Sequence, residues 1–355
     1  MLRSFTLKNF RCFQNFTLEP LERINLIAGK NNVGKTTLLE AILIFINPIP
    51  EALFQVNSVR GIFSKGRFEK LEELRELLFN QDVNKVIEIG GLEDNNQQSL
   101  KIRFAELEEA KILRRSLFDE IELLQAKESL TTKVRPHDTL VFEYQDDTTK
   151  KISHIALTVN GGTVGEYYRR ENPVGIYLTT NTRSPKEDAV RFSRLALVKQ
   201  QEEVLETLRL LEPRLQSLTV LVEREAMIYG DIGVSKLVPL PLMGEGMNRL
   251  LSIVLAIANA KGGTILIDEI ENGLHHSVLT DVWKVIADAA RRADVQIFAT
   301  THSYECIIAA HQAFESSEQY DFRYHRLERV DDEIQAITYD RENLATSEEF
   351  NWETR

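Results

Sequence analysis

The amino-acid sequence predicts an α/β fold: a largely parallel sheet carrying a phosphate-binding loop, with a mostly helical lobe inserted between the two halves of the domain. Three observations predict it. The apolar segment RINLIA at 23–28 runs into a glycine-rich turn and then into TTLLEAILIFI, an apolar helix. A second apolar strand, TILID at 264–268, ends in Asp268 and is followed by Glu269. A third, VQIFAT at 295–300, runs into Thr301, His302 and Ser303. Short apolar runs alternating with helical stretches are the pattern of parallel strands joined by crossover helices.

The other elements follow in chain order. Residues 2–8 and 15–19 alternate as two strands joined by NFRCFQ. Helical spacing covers 68–79, and VIEIGGL with SLKIRFAEL predicts a hairpin. Residues 105–128 are charged, with Leu107, Ala110, Leu117, Ile121 and Leu124 at helical spacing. That face packs against the neighbouring lobe or binds a partner. Segments 139–145 and 153–159 predict another hairpin, and 174–180 a strand. An amphipathic helix over 186–211 stops near Pro213, since proline cannot continue it. Beyond 236 a short strand reaches the turn Gly244-Glu245-Gly246. A helix over 247–260 precedes the acidic strand, another over 276–292 follows it, and AITYD forms a last strand before an acidic tail. No internal repeat or low-complexity segment interrupts this order. The expected division is an N-terminal half with the glycine-rich loop at 1–100, an inserted lobe of helices and strands at 101–235, and a C-terminal half at 236–355.

Composition bounds the function. With 355 residues, 43% of them hydrophobic, the chain can bury one large core or a core with an inserted lobe. A net charge of −11 disfavours a nucleic-acid binder, because phosphate contacts need Lys and Arg. A local basic patch could still contact nucleic acid weakly. The only two cysteines, Cys12 and Cys306, lie too far apart for metal-ligand spacing and fit a reduced, cytoplasmic compartment. No apolar run reaches membrane-span length, so no membrane partner is expected. The first residues alternate like a strand and do not form a signal peptide.

Residues Gly29-Lys30-Asn31-Asn32-Val33-Gly34-Lys35-Thr36 match G-x-x-x-x-G-K-[ST] at every fixed position, with Thr37 next. Glycines let consecutive N–H groups curl around a phosphate, and the following helix presents its positive end to the same anion. Lys35 is expected to reach the β- and γ-phosphates of ATP, and the Thr36 hydroxyl to bind Mg²⁺. A buried strand ending in carboxylates needs a reason, since unpaired buried charge is costly. Asp268 is expected in the Mg²⁺ shell, with Glu269 orienting and polarising the attacking water. His302, at the end of another parallel strand, points to the edge where ligands bind, there to bond a γ-phosphate or the water. The pair His275-His276 is not expected to hold a metal, because adjacent histidines should point apart.

In this order, the pieces resemble the ABC-type ATPase head of the SMC, RecF and OLD families. That class has a signature segment that contacts ATP on the opposite subunit. The matching stretch here is Leu242-Met243-Gly244-Glu245-Gly246-Met247-Asn248-Arg249. Met243 stands where the commonest form has serine, and Glu245 where it has glycine. More closely, GKNNVGKT, GEGMNR, DEIENGLHH, TTHS and the opening LKNFRCF resemble the OLD-like and AbiEii-like AAA ATPases of bacterial and phage defence. The resemblance implies a homodimer or higher homo-oligomer, ATP and Mg²⁺ as cofactors, and Arg11 near the nucleotide. Arg11 also suits a surface packing role. A glutamine coupling loop is implied too, for which Gln81 is a candidate. The chain leaves no room after AITYD for a TOPRIM nuclease domain, and its lobe is too compact for a coiled-coil arm, so a stand-alone head is expected.

Four functions compete. The first is an ATP-driven subunit controlling a separately encoded effector, a nuclease or toxin, in phage defence. The second is a RecF-like repair ATPase, which needs a basic surface; Arg114-Arg115, Lys150-Lys151 and Arg169-Arg170 are its hints. The third is a transporter subunit, which needs a membrane partner and a more usual signature. The fourth is a nucleotide-gated scaffold, against which Glu269 argues.

Overall fold

The computed structural model describes residues 1–59, 75–113, 139–157, 163–166, 175–179 and 184–349. In chain order the elements are β1 (Leu2–Phe10), β2 (Phe13–Leu18), β3 (Ile24–Gly29), α1 (Lys35–Ile46), α2 (Pro50–Val59), β4 (Ile87–Glu93), β5 (Asn96–Phe104), β6 (Thr139–Gln145), β7 (Lys150–Leu157), β8 (Thr163–Glu166) and β9 (Gly175–Leu178). There follow α3 (Pro185–Leu197), α4 (Gln201–Leu208), β10 (Ser217–Val222), β11 (Ala226–Asp231), β12 (Val238–Pro239), α5 (Glu245–Asn259), β13 (Thr264–Ile267), α6 (Leu279–Ala293), β14 (Gln296–Thr300), α7 (Tyr304–Glu315), β15 (Phe322–Val330), β16 (Glu333–Tyr339) and α8 (Arg341–Glu349).

The chain divides into two compact units. One comprises Met1–Pro20, Asn32–Glu171 and Glu328–Ala336. Its antiparallel sheet has the order β2-β1-β4-β5-β6-β7-β8. β1 alternates, burying Phe5 and Leu7 while Thr6 and Lys8 face out, as one covered sheet face requires. Helix α1 is apolar on nearly every side and is buried along almost its whole length, with Phe45 edge-on to Phe5 at 5.8 Å. The turn between β1 and β2 is tighter than the sequence suggests. Pairing continues to Phe10 and Phe13, leaving only Arg11 and Cys12. Left-handed backbone at Asn9 and Arg11, φ 56° and 47°, makes this possible.

The second unit comprises Leu21–Asn31, Asn172–Leu327 and Ile337–Arg355. Its sheet has the order β16-β15-β3-β14-β13-β9, and the pairs β9–β13, β13–β14, β14–β3 and β3–β15 are all parallel. Strands β3, β13 and β14 are buried at every residue, which is why they read as unbroken apolar runs. The core includes Leu250, Ile253 and Ile257 of α5 and Trp283 and Ile286 of α6. Trp283 sits about perpendicular to Phe322 and tilted against Phe314.

Several elements depart from the sequence reading. The helix expected over 186–211 is two helices. Lys199 takes φ 58°, and the N–H groups of Val198 and Gln200 both turn back to the Leu195 carbonyl. No glycine or proline marks that break. The hairpin β10–β11, helix α7 and strand β15 were not anticipated; β10 carries exposed Leu221 and Val222, which blurs its alternation. Helix is present over 107–113, and 114–128 lies outside the described residues, as does the expected helix at 68–79 up to residue 74. Within 101–235 the described residues include strands β6 to β11 as well as α3 and α4.

His325 tests this core by its charge. It is fully buried on β15, shares a hydrogen bond with Thr338 (2.9 Å), and burial lowers its pKa to about 3. The unfolded chain takes up this proton near 6.5, so between 6.5 and 3 the unfolded state binds more protons. Stability is therefore lost as pH falls through that window, by up to about 1.4 kcal/mol per pH unit from this group. Urea unfolding from pH 7 to pH 4 is expected to show a shallower acid slope for His325→Gln than for the native chain.

Candidate nucleotide-binding site

The phosphate loop joins β3 to α1. Lys30, Asn31 and Asn32 are exposed, whereas Val33 is buried and anchors the loop. Gly29, Asn32 and Gly34 take φ of 144°, 64° and 87°, which turn the chain sharply enough for successive amides to face one point. Gly34 caps α1 without a side-chain acceptor, and the first helical turn holds no acidic residue. The helix end therefore keeps its positive field for an anion. Lys35 is 6% exposed, and an ammonium so buried needs an anionic or carbonyl partner. Thr36 is half-buried and Thr37 buried. These features fit a bound polyphosphate.

The β1–β2 turn supports Gly34, which belongs to the same unit. A Cβ on Gly34 would lie 2.9 Å from both Cys12 Sγ and Phe13 Cζ. Gly34 is thus required by space as well as by φ. Burial pushes the Cys12 thiol above its usual range despite a bond to Thr37, which disfavours the thiolate. Arg11 pairs with the fully buried Glu40 of α1 at 2.8 Å, which ties the turn to the helix that the loop opens. Its guanidinium also lies over the Phe10 ring. Glu40 gave no signal in the sequence beyond a carboxylate on an apolar helix.

In the second unit, Asp268 and Glu269 follow β13. Thr300, the last residue of β14, donates to Asp268 Oδ1 at 2.6 Å and accepts from the Glu269 N–H at 2.9 Å. The Asp268 N–H donates to Leu178 of β9, and the Ile270 N–H to the Thr300 carbonyl. Glu269 has φ 49°, a strained value for a non-glycine residue and one that clusters at functional sites. His302 lies close by, Nε2 to Glu269 Oε1 3.6 Å, and its N–H donates to Glu271 at 2.8 Å. Asp268, Glu269 and His302 are thus brought to one edge of the parallel sheet. That edge offers carboxylate oxygens suited to a hard divalent cation.

The signature turn meets this edge from α5. Gly244 has φ 107° and ψ 160°, with nothing within 4 Å of where a Cβ would stand. A Cβ on Gly246 would lie 2.6 Å from the Gly273 carbonyl, and one on Gly273 would lie 2.5 Å from Glu245 Cγ. The turn and the DEIENGLHH loop are therefore in backbone contact. Asn248 Nδ2 donates to the Gly244 carbonyl at 2.8 Å. Arg249 is 2% exposed and donates to the carbonyls of Thr179, Asp268 and Glu269. Arg249 and Thr300 lay inside the quoted motifs, but nothing in sequence spacing marked their partners.

Other expected features stay apart from these groups. His275 and His276 do not point apart: their ring centroids lie 4.2 Å from each other with the planes tilted by 37°, where His276 opens a single 3₁₀ turn and His275 Nδ1 pairs with Ser277. Among the described residues no cluster of three His, Cys, Asp or Glu side chains could hold a metal. Gln81 is exposed, with φ 56° at the end of a 3₁₀ turn. Lys150 and Lys151 are exposed on β7; the pairs 114–115 and 169–170 lie outside the described residues. No described helix is long and apolar enough to cross a membrane.

A parallel sheet, a phosphate loop before α1 and an acidic strand end beside a signature turn define a P-loop ATPase of the ABC-head class. Solved SMC heads share the fold. The head from Pyrococcus furiosus, crystallised with the C-terminal domain of ScpA, superposes with a TM-score of 0.52 at 13% identity, over 99% of each chain. The chain belongs to the family described as "AAA domain, putative AbiEii toxin, Type IV TA system", which matches residues 24–307, and is an ATPase. It is 25% identical to an "ATP/GTP phosphatase" of Helicobacter pylori over 97% of both chains. A shorter match, 51% identical over 41 residues, covers 12% of this chain and 11% of a RecF replication and repair protein of Chlorobium phaeovibrioides.

Gly34→Ala tests the loop geometry. A positive φ costs an L-residue about 1–2 kcal/mol, and the added methyl displaces Cys12 or Phe13. ATP affinity, measured by titration with a fluorescent analogue, is expected to fall about tenfold or more.

Proposed function

We propose that this ATPase dimerises on ATP and switches a separately encoded effector, a nuclease or toxin, in anti-phage defence. The observation that carries this reading is the signature turn, open at Gly244 and without a side-chain cap on α5, tied through Arg249 to the carbonyls of Asp268 and Glu269. An uncapped helix end offers N–H groups to an anion, here with the carboxylate of Glu245 in its first turn, and by resemblance the anion is the nucleotide of a second copy. The family description, which names a toxin–antitoxin system, supports work alongside a second protein component.

Residues Gly29 to Thr37 cradle the triphosphate, with Lys35 on its terminal phosphates. Thr36 and Asp268 would hold Mg²⁺, which supplies charge neutralisation on the phosphates. Glu269 orients and polarises the water, and His302 donates to the γ-phosphate or to that water. Gly244, Glu245 and Gly246 present backbone N–H groups to the partner's nucleotide. The catalytic assignments predict a division between two variants. Lys35→Ala is expected to lose ATP binding. Glu269→Gln keeps it and loses turnover by about 10²–10⁴-fold, because only the base is removed. A phosphate-release assay beside a binding titration checks both; turnover by Glu269→Gln at the native rate would remove its role. Light scattering of Glu269→Gln is expected to show a mass doubling on adding ATP, and an unchanged monomer would refute the dimer.

A RecF-like repair role is the second reading, favoured by the short RecF match. The acidic chain predicts weak DNA binding that falls with salt at a slope of about −0.9 per phosphate contacted. Fluorescence anisotropy with labelled duplex at physiological salt separates the two: tight binding without nucleotide supports repair, and none supports a protein effector.

A further inference from the structure

The carbonyls of Asp268 and Glu269 pose a problem that the sheet does not solve. β13 ends at Ile267, and the φ of 49° at Glu269 lifts the chain off the ladder. A carbonyl leaving a sheet in a buried setting needs a new donor. The Asp268 and Glu269 N–H groups donate to the Leu178 carbonyl and the Thr300 hydroxyl, on the strands either side. Both carbonyls accept from Nη2 of Arg249, and Nη1 of the same guanidinium reaches the Thr179 carbonyl beyond β9. Arg249 lies on α5, in the turn after Gly246. That helix end also carries Asn248, bonded to the Gly244 carbonyl, and Gly246, in contact with the Gly273 carbonyl.

We infer that Arg249 is a positioning residue for ATP hydrolysis: it fixes the backbone of Glu269 to the signature helix, so that an anion seated at Gly244–Gly246 is felt at the water-polarising carboxylate. A planar guanidinium suits this task, because its rigid fork meets several acceptors at set angles. The coupling path is short and stiff: Gly244 to Asn248 by one hydrogen bond, Asn248 to Arg249 by one peptide, Arg249 to Glu269 by another hydrogen bond. Any rotation of α5 moves the Glu269 carbonyl with it. The inference rests on the role proposed for Glu269 and on the signature turn as an anion seat.

The test uses the full-length chain with Arg249→Met, which keeps the stem and removes the donors, and Arg249→Lys, which keeps a charge and part of the donor set. Displacing a reacting group by about 1 Å costs on the order of 10²-fold in rate. Arg249→Met is therefore expected to lower kcat about 10²-fold with the ATP binding constant changed less than threefold, and Arg249→Lys to recover part of that loss. In single turnover, Glu269→Gln with Arg249→Met is expected to be no slower than Glu269→Gln alone, since both act on one group. A merely structural Arg249 would lower the thermal midpoint and leave kcat of the folded fraction unchanged, which overturns the inference. Hydrogen exchange on the native chain needs no variant: ATP is expected to protect 244–249 and 268–272 together. Protection of 244–249 alone would also overturn it. If Glu269→Gln itself turned over normally, the catalytic assignment would fail instead, and the two failures remain distinct.

Discussion

At Glu269 the main chain turns out of the parallel sheet in the left-handed region, and the second unit is arranged to hold it there. Such a conformation costs of order 1–3 kcal/mol and persists only where the surroundings determine it. Here they do so from three sides. Thr300 on β14 bonds the Glu269 amide and the Asp268 carboxylate, Leu178 on β9 takes the Asp268 amide, and Arg249 on α5 takes both carbonyls. The parallel order β14-β13-β9 is what places those neighbours beside β13. Remove the turn at Glu269, and the strand would run on with its carboxylates alternating across the sheet, one to each face.

Glycines set how closely the signature turn approaches this point. Gly246 and Gly273 meet backbone to backbone, and neither admits a Cβ. Gly244 is different: its surroundings are open, and it is needed only for φ 107°. Two kinds of glycine therefore lie within three residues, one for contact and one for turning. The substitution of Glu245 for the usual glycine fits this arrangement, because Glu245 lays its Cγ against Gly273 and needs no positive φ of its own. In the first unit Gly34 combines both demands, with its left-handed φ and with Cys12 and Phe13 filling the space beside it.

The fold was legible, and the candidate groups could be named, where residue types recur at fixed local spacing. The phosphate loop, TILIDE and TTHS are of this kind, and so are the fully buried strands that carry them. The supporting groups were not, because their partners are distant in the chain: Arg249 meets Asp268 across 19 residues, and Asp268 meets Thr300 across 32. A motif shows Arg249 but not which carbonyls it bonds. The break at Lys199 was hidden for a different reason, since a lysine in the left-handed region carries no compositional mark. The close approach of the His275 and His276 rings ran against expectation because the rule for neighbouring side chains assumes regular helix or strand, and this pair enters a 3₁₀ turn.

What remains adjustable at the acidic strand end is the side chain of Glu269, not its backbone. Its amide, its carbonyl and the neighbouring Asp268 are all bonded, whereas its carboxylate is 43% exposed and stands 3.6 Å from His302. That distance is too long for a direct hydrogen bond. His302 has its own amide tied to Glu271, so it too is fixed in the backbone and free at the ring. Two half-exposed polar groups on rigid main chain form a pair whose final orientation is completed by what they meet, a water molecule or a phosphate oxygen. A site built this way stores its precision in hydrogen bonds between main-chain and supporting groups. The last step, closing around the reacting atoms, is left to the substrate and to the surface that the signature turn presents.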